Sequence, residues 1–206
     1  MKSLKTITVI MYVRWRRWIT MSYQDGLEQV DKATQKLTES NQLYVEAIMN
    51  GLLFSWQWWI ALGMLIVPWV LWGIFRNKES SARIFSAGLL MMVLSEILDT
   101  MGVSFGKWAY PVKVIPVATI NFSFRLSLLP VLLMFFLQIK PQFNSLIKAV
   151  LFGGFGAYIG LPLLGMIDLY KKVDWAYTYS FFILLIFYLF AHWYSRRDTF
   201  EQIKSK

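Results

Sequence analysis

Cysteine is absent from the 206 residues, histidine occurs once, and charged residues make up only 16% of the chain. The missing cysteine excludes a disulfide scaffold and any cysteine-ligated metal site. The shortage of charge excludes more. An ordinary soluble domain carries about 25% charged residues, whereas here 57% of residues are hydrophobic and 17% aromatic. A water-soluble globule of this size would lack the polar surface to cover its core. A soluble enzyme, a disordered chain and a collagen-like fibre are therefore excluded. The composition implies an all-α integral membrane helical bundle.

The formal net charge is +9, but its placement argues against a nucleic-acid partner. Five cations (Lys2, Lys5, Arg14, Arg16 and Arg17) crowd into residues 1–20 without an acid. Most others lie in short gaps between apolar runs, where membrane proteins use Lys and Arg to set orientation. The segment 1–20 is too short in its apolar core for a signal peptide, and arginines follow it instead of a cleavage site. Two readings stand. It is a basic aromatic segment lying on headgroups through Trp15 and Trp18, or translation starts at Met21.

Residues 21–50 read as an amphipathic helix. Tyr23, Leu27, Val30, Thr34, Leu37, Asn41, Tyr44 and Ile48 alternate four and three apart, which makes a heptad seam with two polar positions. Such a seam suits packing on the bundle or the interface, a homo-oligomer, or a membrane-protein partner.

Residues 51–195 hold five long apolar runs, at 51–75, 84–103, 114–139, 149–167 and 175–195. About 20 residues at 1.5 Å rise cross ~30 Å of hydrocarbon, so five spans are expected. The third is the weakest, because Pro116 and Pro130 interrupt it and its first part fits a kinked or re-entrant piece. Trp and Tyr cluster at the ends of the runs, as interfacial anchors do. Arg76, Lys78, Arg83, Lys140, Lys148 and the basic tail at 196–206 share one side. Lys107, Lys113, Lys171 and Lys172 share the other. The bias places the C-terminus in the cytoplasm.

Within the spans, Glu96 and Asp99 lie three apart and so share a helix face. Acids inside a membrane turn toward the bundle and take partners. Counting from the connecting loop puts Glu96 and Arg125 both ~12 Å deep from the same surface. Matched depth allows an ion pair, or a triad with Asp99. Asp168, Trp108 and Tyr110 belong to the same end of the bundle. Three roles suit this polar set: a structural clasp, a site for a membrane lipid, small amphiphile or ion, and an acid pair that protonates a substrate. Nothing else supports catalysis, since the chain has no HExxH, serine elbow or phosphate loop, and no cofactor is implied. Gly156 and Gly160 lie inside an apolar span and read as a small-residue face for close helix packing. His192, the lone histidine, reads as a polar anchor.

The order of motifs Trp56-Gln57-Trp58-Trp59, Val67-Pro68-Trp69, Asp99-Thr100-Met101-Gly102, Trp108-Ala109-Tyr110-Pro111-Val112-Lys113, Leu129-Pro130-Val131 and Trp175-Ala176-Tyr177-Thr178-Tyr179-Ser180 resembles a family of small, uncharacterised multi-pass membrane proteins found mainly in endospore-forming bacteria. The resemblance covers roughly residues 45–195. It implies a bacterial cell-membrane setting and no particular activity. The expected function is a non-enzymatic multi-pass membrane protein. The alternatives are a transporter or channel subunit, and an enzyme acting on a lipid or isoprenoid.

Overall fold

The computed structural model describes residues 21–116 and 121–197. The basic aromatic segment 1–20, with its question of the true start, and the tail beyond 197 lie outside the described residues.

The described residues fall into two compact units, divided between residues 43 and 44. In the first, helix α1 (Tyr23–Ala47, which runs on into the second unit) opens with a reciprocal cap. Ser22 N–H donates to Asp25 Oδ2, and Asp25 N–H donates to Ser22 Oγ, both at 3.1 Å. Each bond satisfies an amide that a helix start leaves without a partner. Lys32 and Glu28 pair along the surface one turn apart. No residue of α1 is buried.

The second unit holds α2 (Trp56–Phe75), α3 (Ser81–Ser104), α4 (Phe124–Gln138), α5 (Ser145–Met166) and α6 (Tyr177–Ser195). Four of these, α2, α3, α5 and α6, are long and apolar enough to cross a membrane. At 1.5 Å per residue α4 reaches only about 22 Å, short of the ~30 Å hydrocarbon. Residues 114–116, expected to open the third span, are not helical, and residues 117–120 lie outside the described set. The first span begins at Trp56 instead of residue 51. A π-turn (Ile48–Leu52) ends α1, Phe54 takes a positive φ of 61°, and Ser55 caps α2 by accepting from Trp58 N–H. These polar and conformational breaks separate α1 from the membrane helix.

The core of this unit joins the inward faces of α3 to α6. Ala87 and Met91 of α3, Leu133 and Met134 of α4, Ala149 of α5, and Tyr188 and Ala191 of α6 are fully buried. Small residues set the helix spacing. A Cβ on Gly153 would fall 2.8 Å from the Phe181 carbonyl oxygen, so α5 and α6 meet backbone to backbone there. A Cβ on Gly88 would strike Met134 at 2.6 Å. Leu, Ile, Val and Phe side chains along α2, α3, α5 and α6 remain exposed, as a lipid-facing surface requires.

Two π segments interrupt the bundle, at Phe124–Leu128 in α4 and Phe155–Gly160 in α5. Each is closed by the N–H of a leucine bonded five residues back, Leu129 to Phe124 and Leu161 to Gly156. Each leucine is followed by a proline, Pro130 or Pro162. Proline has no N–H for the carbonyl four residues earlier, and its ring crowds that carbonyl. The wider π turn accommodates both effects. In α4 the freed carbonyl of Leu126 accepts instead from the Trp69 indole at 3.1 Å, which ties α2 to α4.

One end of the bundle carries a short antiparallel pair, β1 (Trp108–Ala109) with β2 (Lys171–Lys172). Lys107 and Asp174 pair beside it at 2.7 Å. At the other end Gln138 bridges α2 to the next turn, accepting from Asn77 N–H and donating to the Phe75 carbonyl, each at 2.8 Å. Lys148 donates to the Ile139 carbonyl, and Arg196 to that of Pro141.

Candidate functional site

The site grows from one face of α3. Glu96 and Asp99 lie three residues apart on it, and Arg125, in the π segment of α4, is fully buried between them. Arg125 Nη1 stands 2.7 Å from Glu96 Oε1, and Nε stands 2.7 Å from Asp99 Oδ2. A π segment inserts an extra residue into a turn and rotates the later residues relative to a regular helix. Arg125 occupies the second position of that segment. Thr100 extends the network, accepting from Arg125 Nη1 at 3.3 Å and donating to Glu96 at 3.2 Å.

The two carboxylates differ. Glu96 is partly exposed, with 39% of its side chain accessible. Asp99 is buried and accepts two further bonds, from Trp108 Nε1 at 2.8 Å and from the Tyr110 hydroxyl at 2.8 and 2.9 Å. Gly102 makes the first of these possible. A Cβ at Gly102 would fall 2.0 Å from the Trp108 ring, so the indole lies directly on the α3 backbone one turn beyond Asp99. β1 fixes the Trp108 backbone against Lys172, and Trp175 packs edge-on to its ring at 4.8 Å. The Asp99-Thr100-Met101-Gly102 and Trp108-Ala109-Tyr110 motifs are thus two halves of one arrangement.

The structure therefore brings together Glu96, Asp99, Arg125, Trp108 and Tyr110. It does not bring Asp168 to them. Asp168 has a positive φ of 60° just after α5 and is exposed. It borders a separate, more open hollow with Pro162, Lys171 and Lys172. An aspartate tolerates this left-handed position at a helix end, and that local role accounts for it. The expected packing face also shifts. A Cβ on Gly156 would meet Leu184 at 2.7 Å, but one on Gly160 would meet nothing nearer than the Phe155 carbonyl at 3.5 Å. Close packing falls on Gly153 and Gly156, while Gly160 borders open space.

Two participants escaped the sequence reading. Lys113, which counted only toward topology, is 2% exposed, with its Nζ 4.6 Å from the centre of the Tyr44 ring. Burial, with the Arg125 charge adding to it and Asp99 opposing, pulls its pKa down to about 8. Tyr170, named nowhere by pattern, is 4% exposed and packs 5.9 Å from Tyr110. Burial first, and the Asp99 charge next, raise the Tyr110 phenol well above its usual value.

The second component is a cavity of about 360 Å³ between α3, α4, α5 and α6. Asp99, Trp108, Tyr110 and Tyr170 form one part of its wall, and Leu132, Ile183 and Phe187 another. Both π segments line it, through Phe124 and Leu128 on one side and Phe155, Gly156 and Gly160 on the other. Asp99 is its single charged lining residue. Among the described residues no three His, Cys, Asp or Glu side chains group as metal ligands.

The chain matches no protein-family model, and neither a curated protein nor a solved structure shows detectable similarity to it.

Proposed function

We propose that this is a non-enzymatic multi-pass protein of the bacterial cytoplasmic membrane that binds a lipid or small amphiphile in the cavity between α3, α4, α5 and α6. The Glu96–Arg125–Asp99 cluster frames the polar end of that site. The observation that carries the reading is the cavity itself, about 360 Å³ of apolar wall with one buried carboxylate at its edge. Ligand sites are mostly apolar hollows of about 300–1,000 Å³ with a few placed polar groups. The cluster then serves as clasp and site at once, holding α3 to α4 while fixing Trp108 and Tyr110 in the wall.

In this reading α4 is the fifth membrane-embedded helix, and the C-terminus is cytoplasmic. The excess of Lys and Arg at the α2–α3 and α4–α5 turns and in the tail supports that orientation. The motif resemblance to small membrane proteins of endospore-forming bacteria supports the cellular setting.

The test is what stays bound after purification in mild detergent. Mass spectrometry of the extracted protein is expected to find about one lipid or amphiphile per chain, lost in Gly160→Leu, whose side chain would enter the cavity. Helix content by circular dichroism checks that the variant is folded. A wild-type protein that retains nothing, or a folded Gly160→Leu variant that retains the same amount, overturns the reading.

A further inference from the structure

We infer that a second site, at the end of the bundle that carries β1 and β2, takes the phosphoethanolamine head of a membrane phospholipid. The site is the open hollow at the end of α5, which shares only Tyr170 with the cavity between α3, α4, α5 and α6. It goes beyond the reading above and does not depend on it.

Position sets the surroundings. The hollow lies where α2 and α6 begin and α5 ends, and Gln57, Tyr177 and Met166 border it. Trp56 and Trp59 at the start of α2 and Tyr179 at the start of α6 are exposed. Tryptophan and tyrosine at span ends sit at headgroup level. Met166 is 79% exposed, and so in large part is Leu163 on the turn before it. The rim of the hollow therefore continues into the lipid-facing surface, and a head can enter while its chains stay in the leaflet.

Charge sets the head. Asp168, Lys171 and Lys172 line the hollow, and all three are exposed. Among the described residues none of them forms a salt bridge, whereas Lys107 and Asp174, beside the same strand pair, stand 2.7 Å apart. Lys172 Nζ lies instead 4.7 Å from the centre of the Tyr177 ring. The hollow thus keeps a negative pole apart from a positive one. The C-terminus of α5 strengthens the negative pole, because a helix carries partial negative charge there, and Gly165 and Met166 of its last turn line the hollow. Glycine or asparagine would suit the left-handed position of Asp168 as well. Only an acid adds charge.

Hydrogen bonding completes the choice. A phosphate diester is an anion whose free oxygens accept from Lys171 and Lys172. A primary ammonium has three N–H donors, which suit Asp168 and the carbonyls at the end of α5. Phosphatidylethanolamine joins the two groups through a two-carbon link. Phosphatidylglycerol has no cation for Asp168, and phosphatidylcholine has a cation without an N–H.

The experiment titrates the full chain in detergent with the dioleoyl forms of these three lipids and counts bound lipid by native mass spectrometry. An open hollow exchanges its lipid, so binding is read at equilibrium with added lipid. Phosphatidylethanolamine is expected to bind at least fivefold more tightly than the other two. Asp168→Asn keeps a residue that tolerates the left-handed turn and is expected to abolish that preference. Lys171→Gln with Lys172→Gln is expected to weaken all three lipids about tenfold, the loss of a charge-assisted hydrogen bond. Gly160→Leu, which fills the other cavity, is expected to keep the preference. Equal binding of the three lipids, or a preference that survives in folded Asp168→Asn, overturns the ammonium pole and with it the proposal. Unchanged affinities in the lysine double variant overturn the phosphate pole. A preference lost in folded Gly160→Leu places the lipid in the cavity and overturns this site while leaving that one. Displacement by an equal concentration of glycerophosphoethanolamine, which has the head without the chains, overturns a membrane lipid as the source.

Discussion

The indole nitrogen of Trp69 stands 3.1 Å from the carbonyl oxygen of Leu126, the acceptor that Pro130 leaves without its helical donor. A tryptophan on one span thus repairs a backbone defect in another. The proline opens the helix into a π turn, and that turn carries Arg125. The local irregularity of α4 and the buried ion cluster have the same origin.

Trp69→Phe keeps the ring and removes the donor. The Leu126 carbonyl then lies in an apolar surrounding without a partner, at a cost of about 1–3 kcal/mol. Thermal unfolding in detergent should show the loss. Pro130→Ala restores an N–H four residues on, so Trp69→Phe should cost much less in that background. Equal costs in both backgrounds would show that the indole does not serve this carbonyl.

Arg125 is fully buried between two carboxylates, and its removal leaves Asp99 charged with no cation in contact. Arg125→Gln is expected to destabilise by about 3–5 kcal/mol, because breaking a buried pair strands a charge. The triple change Glu96→Gln, Asp99→Asn and Arg125→Gln removes every charge of the set and should recover a large part of that loss. Comparing the unfolding midpoints of the single and triple variants decides it. A triple variant less stable than the single would mean that the ion pairs themselves stabilise the fold.

The contact between Trp108 and Gly102 gives a steric prediction. A Cβ at position 102 would stand 2.0 Å from indole ring atoms, far inside van der Waals contact. Gly102→Ala must push Trp108 off α3 and lengthen its bond to Asp99. A loss of about 1–3 kcal/mol is expected, typical of overpacking. Near-ultraviolet circular dichroism should change with it, since Trp108 packs against Trp175.

Much of this arrangement was legible in the sequence, and what was hidden has physical causes. Composition and apolar run length revealed the membrane helices. Equal counting from a shared loop put Glu96 and Arg125 at one depth, and the structure sets them in contact. The start of the third span was hidden because hydropathy does not distinguish helix from an apolar loop, and Pro116 signalled only a break. The cavity was hidden because it arises from four helices that are separate in sequence. Asp168 and Asp99 look alike in a sequence, but one sits at a helix end in a left-handed turn and the other in mid-helix. Lys113 looked like a topological charge because burial of a loop lysine depends on what folds over it.

Lys113 also makes stability depend on pH. Its folded pKa is pulled down to about 8 from 10.5. Between these values the unfolded chain binds more protons at this site than the folded one, so stability rises with pH. The benefit is complete above the unfolded value and is lost as pH falls through about 8. Tyr110, raised by burial, acts in the opposite sense above its ordinary value of 10.0, which sets the upper limit of the useful window. From pH 8 to 10 the unfolding midpoint of wild type should therefore climb more steeply than that of Lys113→Met. Parallel profiles would show that Lys113 is not perturbed.

The glycines of α5 should separate into two kinds. At Gly153 a Cβ would meet the Phe181 carbonyl oxygen at 2.8 Å and the Leu185 nitrogen at 3.3 Å. Backbone atoms of a packed helix cannot swing aside, so α5 and α6 would have to part. Gly153→Ala is expected to cost about 1–3 kcal/mol. At Gly160 a Cβ would touch only the Phe155 carbonyl at 3.5 Å, an ordinary contact. There alanine reduces the freedom of the unfolded chain without a clash, and stability should stay level or rise by up to about 1 kcal/mol. Side-by-side unfolding of the two variants tests the assignment. If Gly160→Ala proves the more damaging, α5 and α6 approach each other beside the cavity, and the space assigned to a ligand is filled by protein.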